Sequence, residues 1–508
     1  MTVDFYSRLE NVAASALSNL HEQFPDVYFY FVEPEYWSYF YNISQKSNLK
    51  VHIIDVMAEI PISPRTSSQT PQDFLDPKDK VLYIGRPFSL LQICKTQVVM
   101  KRQNPIIFVS IPVYSYSLKI EVWKQPINFT SFSSLCFPFI PFRHYLQLAV
   151  GSFKKIFMTE PVYEEKAIKA ALSSLMFIFG RFDRVYAVGH FSSSIAKGFL
   201  DCHDVQIQPG QNVLVLMDRT VDLLSIIRIH DSYINFLEEL GCWNPNEDKM
   251  NPTALGKMLG KDPASASKLP IFSDQDDAFE TLATQPLHDA MRRVNLTDIK
   301  NSKVENLAKY HTTVMQKISE FIVQGYLLDL VLKIQRRLVD PIKYGRCVPL
   351  SPDGPSLAFR MLSILHFYGM NDEAKSIGRL LAAKFGLPMF SRWNQLDEIA
   401  MKSARIDPPP QIKSINPILS SIVSLFGHIV ADTWKRPNFP VHESYLSTQT
   451  ALPDGKHRWF VGVIGGMSST ELRLFKKVAK ICRPDDEFIF MSTGIVSARQ
   501  FMKDIIQA

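Results

Sequence analysis

The stretch from Asn212 to Leu224, NVLVLMDRTVDLL, constrains the fold more than any other part of this chain. Val213 to Met217 is a run of five apolar residues, the length and composition of a strand buried on both faces. Asp218, Arg219 and Asp222 follow at once, and charges at the end of a buried strand must be paired and hydrogen-bonded. The stretch therefore predicts either an ion-pair network that holds a central strand or an active site at a sheet edge.

Strands and helices alternate along the first part of the chain. Short apolar runs predict strands at residues 27–32, 50–56, 81–85 and 106–110. With a helix predicted at 89–100, this alternation indicates an open, Rossmann-like parallel sheet with right-handed crossovers. Gly85 is followed by neither G-x-G-x-x-G nor G-x-x-x-x-G-K, so the sequence lacks a phosphate-binding loop there.

Residues 184–200, RVYAVGHFSSSIAKGFL, predict a short strand that passes through Gly189 into a helix. Phe191 stands where the nucleophile elbow G-x-S-x-G requires a serine. We therefore expect Ser192 to cap the helix rather than to act as a nucleophile. The preceding residues 126–142, rich in Phe and Pro and without a period, predict a linker that packs on another element.

The middle of the chain is predicted to be helical, and strands return only at its end. Helices are expected at residues 226–240, 272–293, 304–338 and 356–385. Strands at 459–464 and 487–492 then alternate with helices at 469–481 and 498–506. Such late strands can be buried only by joining a sheet already formed, so we expect a split α/β layer with a helical insertion.

Composition indicates an ordinary globular protein, with 46% hydrophobic and 21% charged residues. The net charge of +6 is spread along the chain, which favours a solvated surface over nucleic-acid binding. Six widely spaced cysteines predict reduced thiols rather than a disulfide framework or a zinc site. No apolar stretch reaches the length of a membrane span, so any membrane association is expected to be indirect, through partners.

Two interpretations of the charged cluster remain open. As a structural lock, Arg219 would bridge the carboxylates of Asp218 or Asp222, or nearby backbone carbonyls, and tie the sheet to the following helix. As an active site, the two aspartates would serve a divergent Rossmann-fold enzyme, which needs a nucleophile and a base nearby. No such motif, no metal-binding histidine pair and no cofactor loop accompanies them, and we favour the lock.

Two stretches far apart in the chain carry a resemblance to a known family. VLVLMDRTVDLLSI at 213–226 resembles the strand and DR-x-x-D-L signature of the Sec1/Munc18 (SM) family of membrane-fusion proteins. FVGVIGGMSSTELRLFKKV at 460–478 is similar to its GG-T-x-x-E end, with Gly465, Gly466, Ser469 and Glu471 in register. Residues 79–93 and 140–161 most resemble the vacuolar-sorting SM subunit of the HOPS and CORVET tethering complexes, although Arg143 replaces an acid of that pattern.

The resemblance implies a three-domain arch of the α/β plus all-α class. Its N-terminal Rossmann-like domain would span residues 1–125, and its split α/β domain residues 126–242 and 440–508. A helical domain would occupy residues 243–439. Residues 291–303 run almost directly into the next predicted helix, so the templating hairpin of the family is expected to be shortened.

The resemblance also implies a function without enzymatic activity, cofactor or metal. An SM protein binds SNARE proteins, which are syntaxin-type helices, and regulates vesicle docking and membrane fusion. The vacuolar branch implies tethering-complex subunits as further partners, with the cytoplasmic protein held peripherally on endosomal and lysosomal membranes. An SM-like factor of ER–Golgi traffic, or a scaffold without templating activity, stays an alternative.

Overall fold

The computed structural model describes residues 3–25, 27–46, 53–55, 80–94, 106–111, 120, 122, 124, 129–135, 137–142, 144–148, 151–200, 209–227, 232–244, 249–261, 279, 282–296, 310–320, 354–367, 370–385, 395, 406–412, 420–433, 445–447 and 456–506. Internal contacts divide the chain into two compact units. The first comprises residues 1–151, 160–183 and 202–212, and the second residues 152–159, 184–201 and 213–508.

The first unit contains the predicted parallel sheet. Its strands lie in the order β2-β1-β3-β4-β5, and every pair of neighbours is parallel. The apolar run of β3 is buried along its whole length because the strand has a neighbour on each side. The strands are β1 (Tyr28–Phe31), β2 (Ile53–Asp55), β3 (Val81–Gly85), β4 (Ile106–Ser110) and β5 (Phe129–Ser134).

Amphipathic helices accompany this sheet. In the first helix, Phe5, Leu9, Ala13 and Leu17 recur every four residues, and all four are fully buried. Phe5 stacks on Phe179, with 4.6 Å between ring centroids. The helices are α1 (Val3–Gln23), α2 (Pro34–Lys46), α3 (Pro87–Cys94) and α4 (Pro161–Phe179), and a hairpin is formed by β6 (Phe139–Pro141) and β7 (Leu146–Leu148).

The prediction of a linker over residues 126–142 is wrong, because β5 and β6 lie within it. β5 has the sequence FTSFSS, which shows no sustained apolar run, and yet it pairs with β4 along its length. Its place at the sheet edge supplies the hydrogen bonds that local propensity does not indicate. The predicted domain boundary at residue 126 thus precedes a strand of the first sheet, and the three domain limits themselves stay a prediction.

The second unit contains the strands that were predicted to return at the end of the chain. Five strands follow one another in the order β12-β8-β9-β13-β14, so β13 lies beside β9 as the split layer requires. β13 pairs with β14 in parallel, whereas β12 is antiparallel to β8. These strands are β8 (Arg181–Val188), β9 (Pro209–Asp218), β12 (Tyr445–Ser447), β13 (Arg458–Ile464) and β14 (Glu487–Ser492).

Most helices of the second unit share one large hydrophobic cluster. Residues 226–240, predicted as one helix, contain the end of α6 (Leu223–Ile227) and the whole of α7 (Tyr233–Glu239). Two short strands that the sequence did not indicate, β10 (Trp243–Asn244) and β11 (Lys249–Met250), pair in antiparallel fashion. Trp243, in β10, is only 4% exposed and belongs to this hydrophobic cluster. The helices are α5 (His190–Leu200), α6 (Leu223–Ile227), α7 (Tyr233–Glu239), α8 (Pro252–Met258), α9 (Leu287–Leu296), α10 (Gly354–Phe367), α11 (Asn371–Phe385), α12 (Ser421–Val430), α13 (Ser469–Cys482) and α14 (Ala498–Ile506), and residues 310–320 are helical too.

The predicted shortening of the hairpin concerns residues 291–303, of which residues 297–303 lie outside the described residues, so it stays a prediction. No helix in the part of the chain that the structure describes has the length and apolar content needed to cross a bilayer.

Candidate functional site

The two stretches that resemble the SM family meet in space. Asp218 ends β9 and Gly465 follows β13, and these two strands are neighbours in the sheet. Their ends therefore bring the residues after β9 against the first turn of α13, which holds Glu471. We call Asp218, Arg219, Asp222 and Glu471 the arginine node; all four are at most 4% exposed.

Arg219 makes its ion pair with Glu471. The guanidinium donates from Nη1 to Oε1 at 3.1 Å and from Nη2 to Oε2 at 2.8 Å, a bidentate geometry. Of the alternatives predicted for Arg219, pairing with the carboxylate of Asp218 or Asp222 is therefore not the one observed. The predicted use of nearby backbone carbonyls is observed, since Nη1 donates to the carbonyl of Asp222 at 3.1 Å and Nε to that of Gly466 at 3.0 Å.

Glu471 also belongs to the capping box that begins α13. Its Oε2 accepts the backbone N–H of Ser468 at 3.0 Å, and its own N–H donates to the Ser468 hydroxyl at 3.2 Å. The hydroxyl of Ser225 donates to Oε1 at 3.0 Å. One carboxylate therefore starts a helix and neutralises the buried arginine at the same time.

Asp222 joins the starts of two further helices. Its Oδ1 accepts the N–H of Ser225 in the first turn of α6 at 3.0 Å. Its Oδ2 accepts the N–H of Ser421, the first residue of α12, at 2.7 Å. Since Ser421 lies 199 residues further along the chain, this cap is a tertiary contact.

Asp218 caps a fourth helix, α5. Its Oδ2 accepts the N–H of Phe191 at 2.8 Å, and its Oδ1 accepts both the N–H and the hydroxyl of Ser192, at 2.9 and 2.5 Å. The expectation that Ser192 is the N-cap is wrong, because Asp218 supplies the capping carboxylate. Gly189 permits this approach, since a Cβ there would lie 2.2 Å from Oδ2.

Helix N-termini account for the burial of so much charge. Each N-terminus carries about half a positive charge, so those of α6, α12 and α13, together with Arg219, offset the carboxylates of Asp222 and Glu471. Burial raises the pKa of Asp222, as does the nearby Glu471, whereas Arg219 lowers it.

The carboxylate of Asp218 is held by hydrogen bonds from the start of α5. It faces a single helix N-terminus, and the salt bridge of the node is made by Arg219 with Glu471. Burial accordingly raises the pKa of Asp218 to about 7, although its hydrogen bonds with Ser192 and Phe191 lower it in part.

The two glycines after β13 allow the close packing around the node. Gly465 has a φ of +101°, and a Cβ there would lie 2.7 Å from Phe157, 2.9 Å from Phe153 and 2.9 Å from the Cβ of Arg219. Gly466 has a φ of +104°, which turns its carbonyl towards Nε of Arg219. Both positions need the left-handed conformation that glycine adopts readily.

This geometry suits a structural role better than acid–base chemistry. Each carboxylate of the node accepts N–H groups at the start of a helix, and that of Glu471 also contacts Arg219 and the hydroxyl of Ser225. A general base needs an oxygen within reach of a substrate proton. Among the described residues, moreover, no group of three or more His, Cys, Asp and Glu side chains is placed to hold a metal ion.

The fold is shared with solved proteins of one family. The chain has the fold of the SM proteins, and the family resemblance carried by its motifs is confirmed at that level. No protein-family model matches the sequence, and no curated protein matches it either. The likeness thus lies in the tertiary structure, whereas sequence identity to the solved SM proteins described next is close to one residue in ten.

Particular SM proteins match over nearly the whole chain. The SM protein Vps45 in complex with the Qa SNARE Tlg2 has a TM-score of 0.55 and 11% identity, covering 98% of this chain and 97% of its own. A structure of Vps45 described without a partner gives a TM-score of 0.53 at 11% identity, covering 98% and 96%. Sly1p in complex with an N-terminal peptide of Sed5p gives 0.51 and 11%, covering 98% of both chains.

Proposed function

We propose that this chain is an SM-type regulator of SNARE-mediated vesicle docking and membrane fusion, acting by binding rather than by catalysis. The observation that carries the proposal is the shared fold over 97–98% of two SM proteins that were solved with a Qa SNARE or with a peptide of Sed5p. The arginine node agrees with it, since its charged groups hold helices of the second unit together.

The proposed partners are SNARE proteins of the syntaxin type. An SM protein would recognise them through broad surfaces, because helices dock by laying an apolar stripe into a groove. The arginine node is buried and would contribute indirectly, by fixing the helices that carry such surfaces.

The test is binding of the purified full chain to cytosolic domains of a panel of Qa SNAREs, measured by calorimetry. We expect at least one Qa SNARE to bind, and the same SNARE without its N-terminal segment shows whether that segment contributes. Failure of every Qa SNARE to bind a well-folded chain would overturn the proposal.

For the trafficking step, we propose endosome-to-lysosome transport, with the chain bound to a tethering complex of the HOPS or CORVET kind. The support is the motif resemblance at residues 79–93 and 140–161. The fold itself does not distinguish between trafficking steps, because Vps45 and Sly1p both share it. Localisation would be peripheral on endosomal and lysosomal membranes.

We further propose that the shortened stretch at residues 291–303 reduces SNARE templating, so the chain should not accelerate SNARE assembly in a liposome assay.

Affinity purification followed by mass spectrometry distinguishes the trafficking branches. Recovery of vacuolar tethering subunits is the expected result. Recovery of ER tethers instead would move the protein to the ER–Golgi branch, and SNAREs without any tether would contradict the tethering role.

A further inference from the structure

The short helix α6 is held at its start by the arginine node. It has five residues, Leu223–Ile227, and Asp222 accepts the N–H of Ser225 at 3.0 Å. Nη1 of Arg219 also donates to the Ser225 hydroxyl at 3.1 Å. The node therefore determines where α6 begins.

The other end of α6 is held by a second buried arginine. Nε of Arg360, in α10, donates to the carbonyl of Ile227 at 2.6 Å, where the helix dipole is negative. Its Nη1 and Nη2 donate to the two carboxylate oxygens of Glu239, at 3.0 and 3.2 Å. The side chains of Arg360 and Glu239 are 3% and 6% exposed, so this bidentate pair is nearly as buried as that of the node.

The side chains of α6 pack closely against neighbouring helices. Leu223, Ile226 and Ile227 are at most 2% exposed and belong to the same hydrophobic cluster as residues of α10 and α14. A helix of one and a half turns has no stability of its own. Its position is therefore set by its packing and by the two arginines at its ends.

We propose that α6 is a strut that couples the packing of α7 and α10 to the arginine node. Close-packed interiors transmit displacements rather than absorb them. If Arg360 and Glu239 separate, α6 shifts along its axis, and Ser225 moves relative to Arg219 and Glu471. The caps at the starts of α12 and α13 then weaken, although Arg360 itself contacts neither helix through the hydrogen bonds described for it.

Native-state hydrogen exchange of the full chain tests the coupling. In Arg360→Lys, which keeps the charge beside Glu239 but loses the bidentate geometry, we expect exchange of the Ser421 and Glu471 amides to rise about tenfold more than that of β13 amides such as Val461. Glu239→Asp, which keeps both charges and leaves the Ile227 contact in place, should give a smaller rise at the same amides. This variant also measures the coupling if the lysine variant folds poorly.

Leu381→Ala is the matched control, because Leu381 lies in the same cluster, on α11, and is 1% exposed. It should weaken the core without a selective effect on Ser421 and Glu471. A rise in Arg360→Lys that is equal at Ser421, Glu471 and Val461, or equal to that in Leu381→Ala, would overturn the strut and reduce Arg360 to an ordinary core residue.

Discussion

Arg219 and Glu471 are 252 residues apart in the chain and form a bidentate ion pair with no solvent contact at the arginine. Removing one partner of such a pair leaves an uncompensated buried charge, which costs about 3–5 kcal/mol. Around this pair, three carboxylates begin four helices of the second unit. The pair therefore links the end of the sheet to the starts of those helices.

Arg219→Ala should lower the free energy of unfolding by about 3–5 kcal/mol, because Glu471 would stay buried without its cation. Urea unfolding measures the change, and binding of the proposed Qa SNARE should fall in parallel with the folded fraction. The matched control is the double variant Arg219→Met with Glu471→Leu, which removes both charges and should be more stable than Arg219→Ala. A double variant no more stable than the single one would argue against the uncompensated charge as the cause.

Asp222→Ala should expose the first amides of two helices to exchange. The N–H groups of Ser225 and Ser421 lose their acceptor, and we expect stability to fall by about 2–3 kcal/mol. Asn251→Ala removes the cap of the more exposed α8 and should cost only about 1 kcal/mol, so it serves as the control. Unchanged protection of Ser421 in Asp222→Ala would show that the tertiary cap is unimportant.

Gly465→Ala should destabilise the fold by about 3 kcal/mol. The left-handed backbone adds strain, and the new methyl group would meet Phe157, Phe153 and Arg219 at 2.7–2.9 Å. Gly241→Ala separates the two effects, because Gly241 also has a positive φ, of +70°, but no atom within 4 Å of a Cβ. In thermal unfolding, Gly241→Ala should have a clearly higher Tm than Gly465→Ala. An equal fall of the Tm in both variants would mean that backbone strain alone causes the loss.

The pKa of Asp218 should make stability fall as the pH rises. Its pKa is about 7 in the folded state and about 4 in the unfolded state, so between these values the folded protein holds a proton that the unfolded chain has released. The contribution of this group is therefore greatest below about pH 4 and is lost as the pH rises through about 7.

Comparison with Asp218→Asn isolates that contribution, because asparagine does not titrate. The unfolding free energy of wild type minus that of Asp218→Asn should fall by about 2–3 kcal/mol from pH 5 to pH 8. Urea titrations at each pH give the values. A signed difference that stays constant would mean that Asp218 is ionised throughout this range.

The local pattern of apolar residues was sufficient to predict most of the strands. The apolar runs at 81–85 and 106–110 form strands at those residues, and 459–464 and 487–492 lie in strands as well, because continuous apolar segments of that length are buried between neighbours. β5 escaped prediction because its serines carry no such signal, and only its place beside β4 makes it a strand. The capping role of Asp218 also escaped, because Phe191, whose N–H it accepts, lies 27 residues earlier in the chain.

The sequence by itself determined that Val213 to Met217 would be a buried strand and that the charges after it would need partners, because burial of an unpaired charge is prohibitively costly. It also placed Gly465, Gly466 and Glu471 in a turn and the start of a helix. Only the tertiary structure decided that Glu471, rather than Asp218 or Asp222, pairs with Arg219. The reason is the strand order: β13 lies beside β9, and this brings the first turn of α13 to the guanidinium, whereas the two aspartates face helix N-termini instead.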